Sequence, residues 1–238
     1  MKKLLFFISI FLITGCSNIT VLDPKSETGK DQAFLIWLST ALMVLVILVV
    51  FVLFTYFVIK YREKPGKSDT LPIDVKGNMK LELTYTIIPI ILLIVLAVPT
   101  VKITMEQSPS KTVTKNEEGR HIEVLAKQFE WSFQHPNGER VADELVVPEG
   151  EPLVFHLTSE DVIHSFWIPE LAGKVDVIPG NQITYVIDDA EVGTYQGKCA
   201  EYCGIQHTNM NFTVKVVEKD EYINYLNDIE EEDEEEDK

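Results

Sequence analysis

Cysteine is scarce in this chain, with three among 238 residues, at positions 16, 199 and 203. So few leave room for one disulfide at most, and the fold cannot rest on cross-links. Basic charge is also short: 21 Lys and Arg stand against 37 Asp and Glu, a formal net charge of −16. That balance argues against nucleic acid as a partner, because phosphates call for basic patches. No Cys-x-x-Cys-His run occurs, so no c-type haem is attached to this sequence. There is no internal repeat, and no long amphipathic helical pattern follows the apolar first hundred residues.

The acidic excess is uneven. Residues 220–238 hold eleven acids against one lysine, a net of −10, so the remainder carries −6. This tail reads as a solvated, disordered run. It would also steer a cationic partner at low ionic strength.

Apolar residues gather in three N-terminal runs. Lys2 and Lys3, an apolar stretch over 4–13, then Thr14, Gly15 and Cys16 have the pattern of an export signal, residues 1–15, too short to span a bilayer. The ending Ile-Thr-Gly-Cys resembles a bacterial lipoprotein cleavage box, which makes Cys16 the expected lipidation site. Residues 16–31 then form an extracytoplasmic linker, and only Cys199 and Cys203 are left to pair or bind metal. Residues 32–59 carry no charged side chain. At about 1.5 Å per residue that run exceeds the roughly 30 Å of a hydrocarbon core. Lys60, Arg62, Lys64, Lys67, Lys76 and Lys80 make 60–82 the most basic loop, hence cytoplasmic. A second span, 83–103, returns through the membrane with Pro89 and Pro99 inside it. The remainder, 104–219, is then extracytoplasmic, on a bacterial cell membrane.

That remainder shows short alternating or β-branched runs, predicting strands over 121–127, 129–134, 143–147, 153–158, 162–168, 173–178, 183–188, 193–198 and 211–218. Turn residues at Pro136, Gly138, Pro148, Pro152, Pro179 and Gly180 separate them. The expected fold is a membrane-anchored all-β protein: a two-helix transmembrane hairpin followed by an antiparallel sandwich or Greek-key barrel.

Within it, residues 199–210 read CAEYCGIQHTNM, two thiols, an imidazole and a thioether in twelve residues. A disulfide beside an ordinary histidine is the plain alternative. His164, 35 residues earlier in DVIHSFWIP, supplies a distant second imidazole. One distant histidine and a late loop of Cys, Cys, His and Met is the ligand layout of sandwich copper proteins. A single blue-copper ion uses one cysteine. Two cysteines in Cys-x-x-x-Cys spacing allow both sulfurs to bridge two coppers. Zinc also accepts a Cys2His2 set, although it would leave Met210 without a role.

These residues resemble the bipartite CuA signature of subunit 2 of cytochrome c oxidase. DVIHSFWIPELAGKVDVIPG and GTYQGKCAEYCGIQHTNM carry the likeness, which covers residues 78–217 together with the hairpin. The resemblance implies a cupredoxin-like domain with a binuclear copper centre held by the side chains of His164, Cys199, Cys203, His207 and Met210 and by the Glu201 carbonyl. It implies that the Glu201 carboxylate reaches a magnesium at the interface with subunit 1. It further implies other oxidase subunits as partners, membrane lipid around the helices, haem in the partner subunit only, and cytochrome c as a separate electron donor. Electrons would pass to subunit 1, where dioxygen is reduced to water with proton translocation. The family's electron-receiving tryptophan sits in a run like Gln-Trp-x-Trp, whereas here Gln128-Phe129-Glu130-Trp131 stands, so Phe129 or Trp131 is expected to take that role. A quinol oxidase subunit 2, which lacks the copper ligands, and a copper carrier or sensor lipoprotein are the alternatives.

Overall fold

The computed structural model describes residues 19–63, 76–110, 118–136, 138 and 140–236. The expected signal and Cys16 lie outside the described residues. The chain divides into two compact units: Phe34–Glu106, and Met1–Ala33 together with Gln107–Lys238.

Two long helices supply the first unit. Helix α1, Glu27–Tyr61, has 35 residues and helix α2, Met79–Glu106, has 28. Both are long and apolar enough to cross a membrane, and both exceed the uncharged runs that announce them. The extra turns are polar and capped. Ser26 Oγ accepts the Gly29 N–H at 2.8 Å, and Asn78 Oδ1 accepts the Lys80 N–H at 3.0 Å, so each helix starts on a side-chain cap. Pro89 and Pro99 both lie inside α2. Thr100, next to Pro99, turns its hydroxyl back to the Leu96 carbonyl at 2.8 Å.

The second unit is a sandwich of two five-stranded sheets. Strands β1 (Arg120–Lys127), β2 (Glu130–Gln134), β3 (Arg140–Ala142), β5 (Leu153–Ser159) and β8 (Ile183–Ile187) form one sheet in the order β3-β2-β1-β5-β8. Strands β4 (Glu144–Pro148), β6 (His164–Trp167), β7 (Val175–Val177), β9 (Gly193–Cys199) and β10 (Asn211–Val217) form the other, in the order β4-β10-β9-β6-β7. All nine predicted strands are present. The tenth, β3, is a three-residue edge strand too short to carry a period. The sandwich is mixed rather than purely antiparallel, since β1 pairs with β5 and β4 with β10 in parallel. Local alternation cannot specify that direction, because each of these pairs joins strands far apart in sequence.

Alternation sets which side chains fill the space between the sheets. Ile122, Val124 and Ala126 of β1 face inward while Glu123 and Lys127 are exposed, and β10 alternates in the same way. An aromatic cluster occupies the centre: Phe166 stacks on Phe212 at 5.0 Å and 12°, and Trp131 meets both rings at 5.5 Å. Gly197 is required here, for a Cβ on it would stand 2.1 Å from Phe212 Cζ.

The chain's first described residues belong to this unit rather than to a free linker. The Lys25 N–H donates to the Glu170 carbonyl at 2.7 Å and the Glu191 N–H to the Lys25 carbonyl at 2.8 Å. Ser26 Oγ, fully buried, donates to the Leu171 carbonyl, and the Asp188 N–H donates to Thr28 Oγ1 at 2.9 Å. The carboxyl end of the unit is ordered too. Instead of a disordered run, residues from Lys219 to Glu236 form helix α3. Its first turn buries Tyr222 against His135, with Tyr225 at 5.5 Å from the same imidazole. Spacing of i and i+3 puts both tyrosines on one face, and that apolar anchor starts the helix.

Candidate metal centre

The centre lies at one end of the second sheet. His164 opens β6 and Cys199 closes β9, and these strands pair so that Phe166 stands opposite Cys199. Beyond Cys199 the chain leaves the sheet, passes a 3-10 turn at His207–Asn209 and re-enters at β10. The Cys199 N–H donates to the Met210 carbonyl at 2.9 Å, which closes the loop at its base. Gly204, at φ +136°, occupies backbone space that side-chain-bearing residues rarely adopt.

Five donor side chains converge within this loop and its neighbour. The two thiols are free and buried, with Cys199 Sγ 3.8 Å from Cys203 Sγ. His164 Nδ1 lies 3.8 Å from Cys199 Sγ, and His207 Nδ1 lies 3.6 Å from Cys203 Sγ. Met210 Sδ is 3.7 Å from Cys203 Sγ, and the Glu201 carbonyl oxygen is 3.2 Å from Cys199 Sγ. All six metal-site positions expected from sequence are thus brought together. Among the described residues, His164, Cys199 and Cys203 form the one group of three with ligating atoms within 4.8 Å of one another. Burial, reinforced by neighbouring Cys199, pushes the Cys203 thiol up to about 12. Without a cation the site therefore keeps that proton, and binding one must displace it.

The donors suit a soft or borderline metal. Magnesium and calcium prefer oxygen ligands, whereas thiolate, imidazole and thioether suit copper. Zinc could use the four Cys and His donors, but Met210 is 1% exposed and points at the thiols, a fifth donor that tetrahedral zinc does not need. Two sulfurs, each with its own imidazole and its own weak third donor, fit a pair of coppers.

The surroundings hold residues that motif spacing does not reveal. Asp161 Oδ1 lies 2.8 Å from His164 Nε2, while its Oδ2 accepts the Gln128 N–H at 2.8 Å. Burial raises the Asp161 carboxyl, but the His164 contact and the N–H groups of Gln128 and Val162 outweigh it and hold the group below its ordinary value. The Gln128 side chain donates to the Cys203 carbonyl. Phe129 is half-buried and lies over Gly204, whereas Trp131 is 0% exposed and meets the His164 ring edge-on at 6.1 Å. Val162 and Ile163 join Glu201, Tyr202, Cys203 and Gly204 of the loop in lining an open cleft of about 400 Å³. Tyr202 is 76% exposed and Ile205, in the same loop, 92%.

Comparison with known proteins gives the family. The model described as cytochrome c oxidase subunit II, periplasmic domain, matches residues 139–217, and that described as cytochrome c oxidase subunit II, transmembrane domain, matches residues 26–103. Quinol oxidase subunit 2 of Bacillus spizizenii is 33% identical over 89% of this chain and 67% of its own length.

The chain belongs to the cytochrome c oxidase subunit II family.

Within that family, cytochrome c oxidase subunit 2 of Alkalihalophilus pseudofirmus is 41% identical over 92% of this chain, which spans 65% of that relative's length. The crystal structure of the periplasmic domain of subunit II of cytochrome oxidase from Bradyrhizobium japonicum aligns over 50% of this chain and 99% of its own, at 26% identity and a TM-score of 0.47. The similar proteins thus include subunits named for cytochrome c and subunits named for quinol. The family matches and the two apolar helices make this a membrane protein with its β unit on the extracytoplasmic side.

Proposed function

We propose that this chain is the electron-receiving subunit of a haem-copper terminal oxidase, taking electrons from a separate cytochrome c. The observation that carries the reading is the pair of free, buried thiols 3.8 Å apart, each with an imidazole nitrogen within 3.8 Å. A quinol-type subunit has no use for such a set. His164, Cys199, Cys203, His207, Met210 and the Glu201 carbonyl would hold two coppers. When bound, such a pair would supply a one-electron couple shared between two metals, which would keep bond changes on oxidation small.

The protein's own residues give that couple its setting. The aromatic cluster of Trp131, Phe166 and Phe212 forms a dry, rigid floor beneath His164 and excludes water from it. Phe129 is the electron-receiving contact, because it covers the loop from outside, whereas Trp131 is fully enclosed and serves as packing beside the ligand. On the cleft side, exposed Tyr202 and Ile205 would offer an apolar surface to subunit 1, and Glu201, which lines the cleft, would share a magnesium there through its carboxylate. Subunit 1, with its haem and copper, would carry the reduction of dioxygen to water and the proton translocation. Lipid on Cys16 and the two helices would hold the assembly in the bacterial cell membrane.

The test uses the full chain in detergent, because residues 19–33 are part of the β unit. Copper added to the thiol-reduced protein should give two coppers per chain, a purple product and one unpaired electron spread equally over both metals. A colourless or blue product with one copper overturns the reading. A chain that takes up no copper belongs with the quinol-type subunits.

A further inference from the structure

His164 is fully buried and has two ring nitrogens facing different partners. Nδ1 points at the thiols, 3.8 Å from Cys199 Sγ, and Nε2 lies 2.8 Å from Asp161 Oδ1. A neutral imidazole carries one N–H, and an ionised carboxylate can only accept. With Asp161 in place the proton therefore belongs on Nε2, and the Nδ1 lone pair is left facing the two sulfurs. Without it, the Cys199 Sγ contact on Nδ1 remains, and a thiol can donate or accept, so it fixes no single tautomer.

Asp161 is itself held from three sides. Its Oδ2 accepts the Gln128 N–H at 2.8 Å, its Oδ1 accepts the Val162 N–H at 2.6 Å, and the same Oδ1 accepts from His164. Gln128 in turn donates through its side chain to the Cys203 carbonyl, and its neighbour Phe129 lies over Gly204. One carboxylate thus ties a ligand ring to the segment that covers the metal loop. The other half of the centre is built differently. His207 is half-exposed, its ring meets Tyr202 at 5.8 Å, and no carboxylate bonds it among the described residues.

We propose that Asp161 is the positioning residue of this centre: it fixes His164 in the Nε2–H tautomer, orients Nδ1 toward the metal, and locks that ligand to the Gln128–Phe129 segment. The assignment rests on the copper reading only for its effect on the metal, since the tautomer exists without it. A carboxylate on the far nitrogen also makes the imidazole a better donor, and loss of its charge should favour the reduced metal.

The experiment compares the full chain with Asp161→Asn and Asp161→Ala in detergent. In the metal-free, reduced protein, nitrogen-15 NMR of the histidines should show His164 as the Nε2–H tautomer in the unsubstituted chain. Asp161→Ala should show a mixture. After copper loading, Asp161→Ala should hold the metal about 10- to 100-fold less tightly. Asp161→Asn should hold it nearly as well as the parent, but at a raised midpoint potential and with an altered EPR spectrum. A purely structural role would weaken retention without moving the potential of Asp161→Asn. An unchanged tautomer in Asp161→Ala together with an unchanged potential in both variants overturns the assignment. If the tautomer responds as stated but the unsubstituted chain takes up no copper, the positioning role stands and the copper reading fails.

Discussion

The Phe129 ring lies so close over Gly204 that a Cβ on that glycine would stand 3.0 Å from Phe129 Cζ. This half-buried aromatic therefore touches the backbone one residue beyond Cys203. If electrons arrive by this contact, Phe129→Ala should slow cytochrome c oxidation by the assembled complex by about tenfold, equal to roughly 1.4 kcal/mol of barrier. Copper content should stay unchanged. Phe129→Trp should be at least as fast as the parent, and a normal rate in Phe129→Ala would move the contact elsewhere.

Two glycines carry the packing. Gly197→Ala would drive a Cβ into the Phe212 ring at 2.1 Å, and overpacking of a filled core costs about 1–3 kcal/mol. For a unit of this size the melting temperature should fall by a few degrees per kcal/mol, read by calorimetry. Gly204→Ala should instead act locally. The site backbone at φ +136° is strained for alanine, and its Cβ would meet Gln128 Nε2 at 2.8 Å. The measurable result is weakened metal retention at nearly unchanged melting temperature.

Acid should loosen helix α3. Burial, with the Arg120 guanidinium nearby, lowers the His135 imidazole to about 4, and the ring sits beneath Tyr222 and Tyr225. The folded state therefore binds fewer protons than the unfolded chain between about pH 6.5 and pH 4. Stability from this group is fully present above pH 6.5 and declines as pH falls through that window, by on the order of 3 kcal/mol. Hydrogen exchange of the first turns of α3 should accelerate over that range. His135→Phe, which has no proton to gain, should remove the dependence, whereas an unchanged profile would show that His135 is not its source.

The residues ahead of α1 should be needed for the β unit. Ser26 Oγ both donates to the Leu171 carbonyl and accepts the Gly29 N–H in a buried place. Ser26→Ala strands both groups and should cost about 1–3 kcal/mol. Limited proteolysis should then cut the chain near residues 20–26, sites protected in the parent.

Much of this was legible in the sequence, for physical reasons. Charge-free runs of membrane length and period-two strands state their own structure, and the donors at 164, 199, 203, 207 and 210 are chemically distinctive at their spacing. Asp161 was not legible, because a loop acid three residues before a histidine looks like any solvated turn until its carboxylate is seen on the ring. Gln128 was hidden for the same reason, its bond to Cys203 spanning 75 positions. Phe129 and Trp131 could not be told apart by pattern, since two aromatics two residues apart look alike until the first is seen half-buried and the second fully enclosed. Helix α3 was obscured by composition: its acidic run dominates, while two tyrosines decide whether it docks.

The attachment of residues 19–33 to the β unit also fixes an order of events during synthesis. Ser26 meets Leu171 across 145 positions and Thr28 meets Asp188 across 160, with both membrane crossings in between. The first piece of the domain to leave the ribosome therefore waits for its partners until both helices have been inserted and strands β1 to β8 have been exported. Throughout that interval Ser26 and Thr28 lack these partners. That seam closes only after Asp188, at the end of β8, has been exported, so the two ends of the domain meet late.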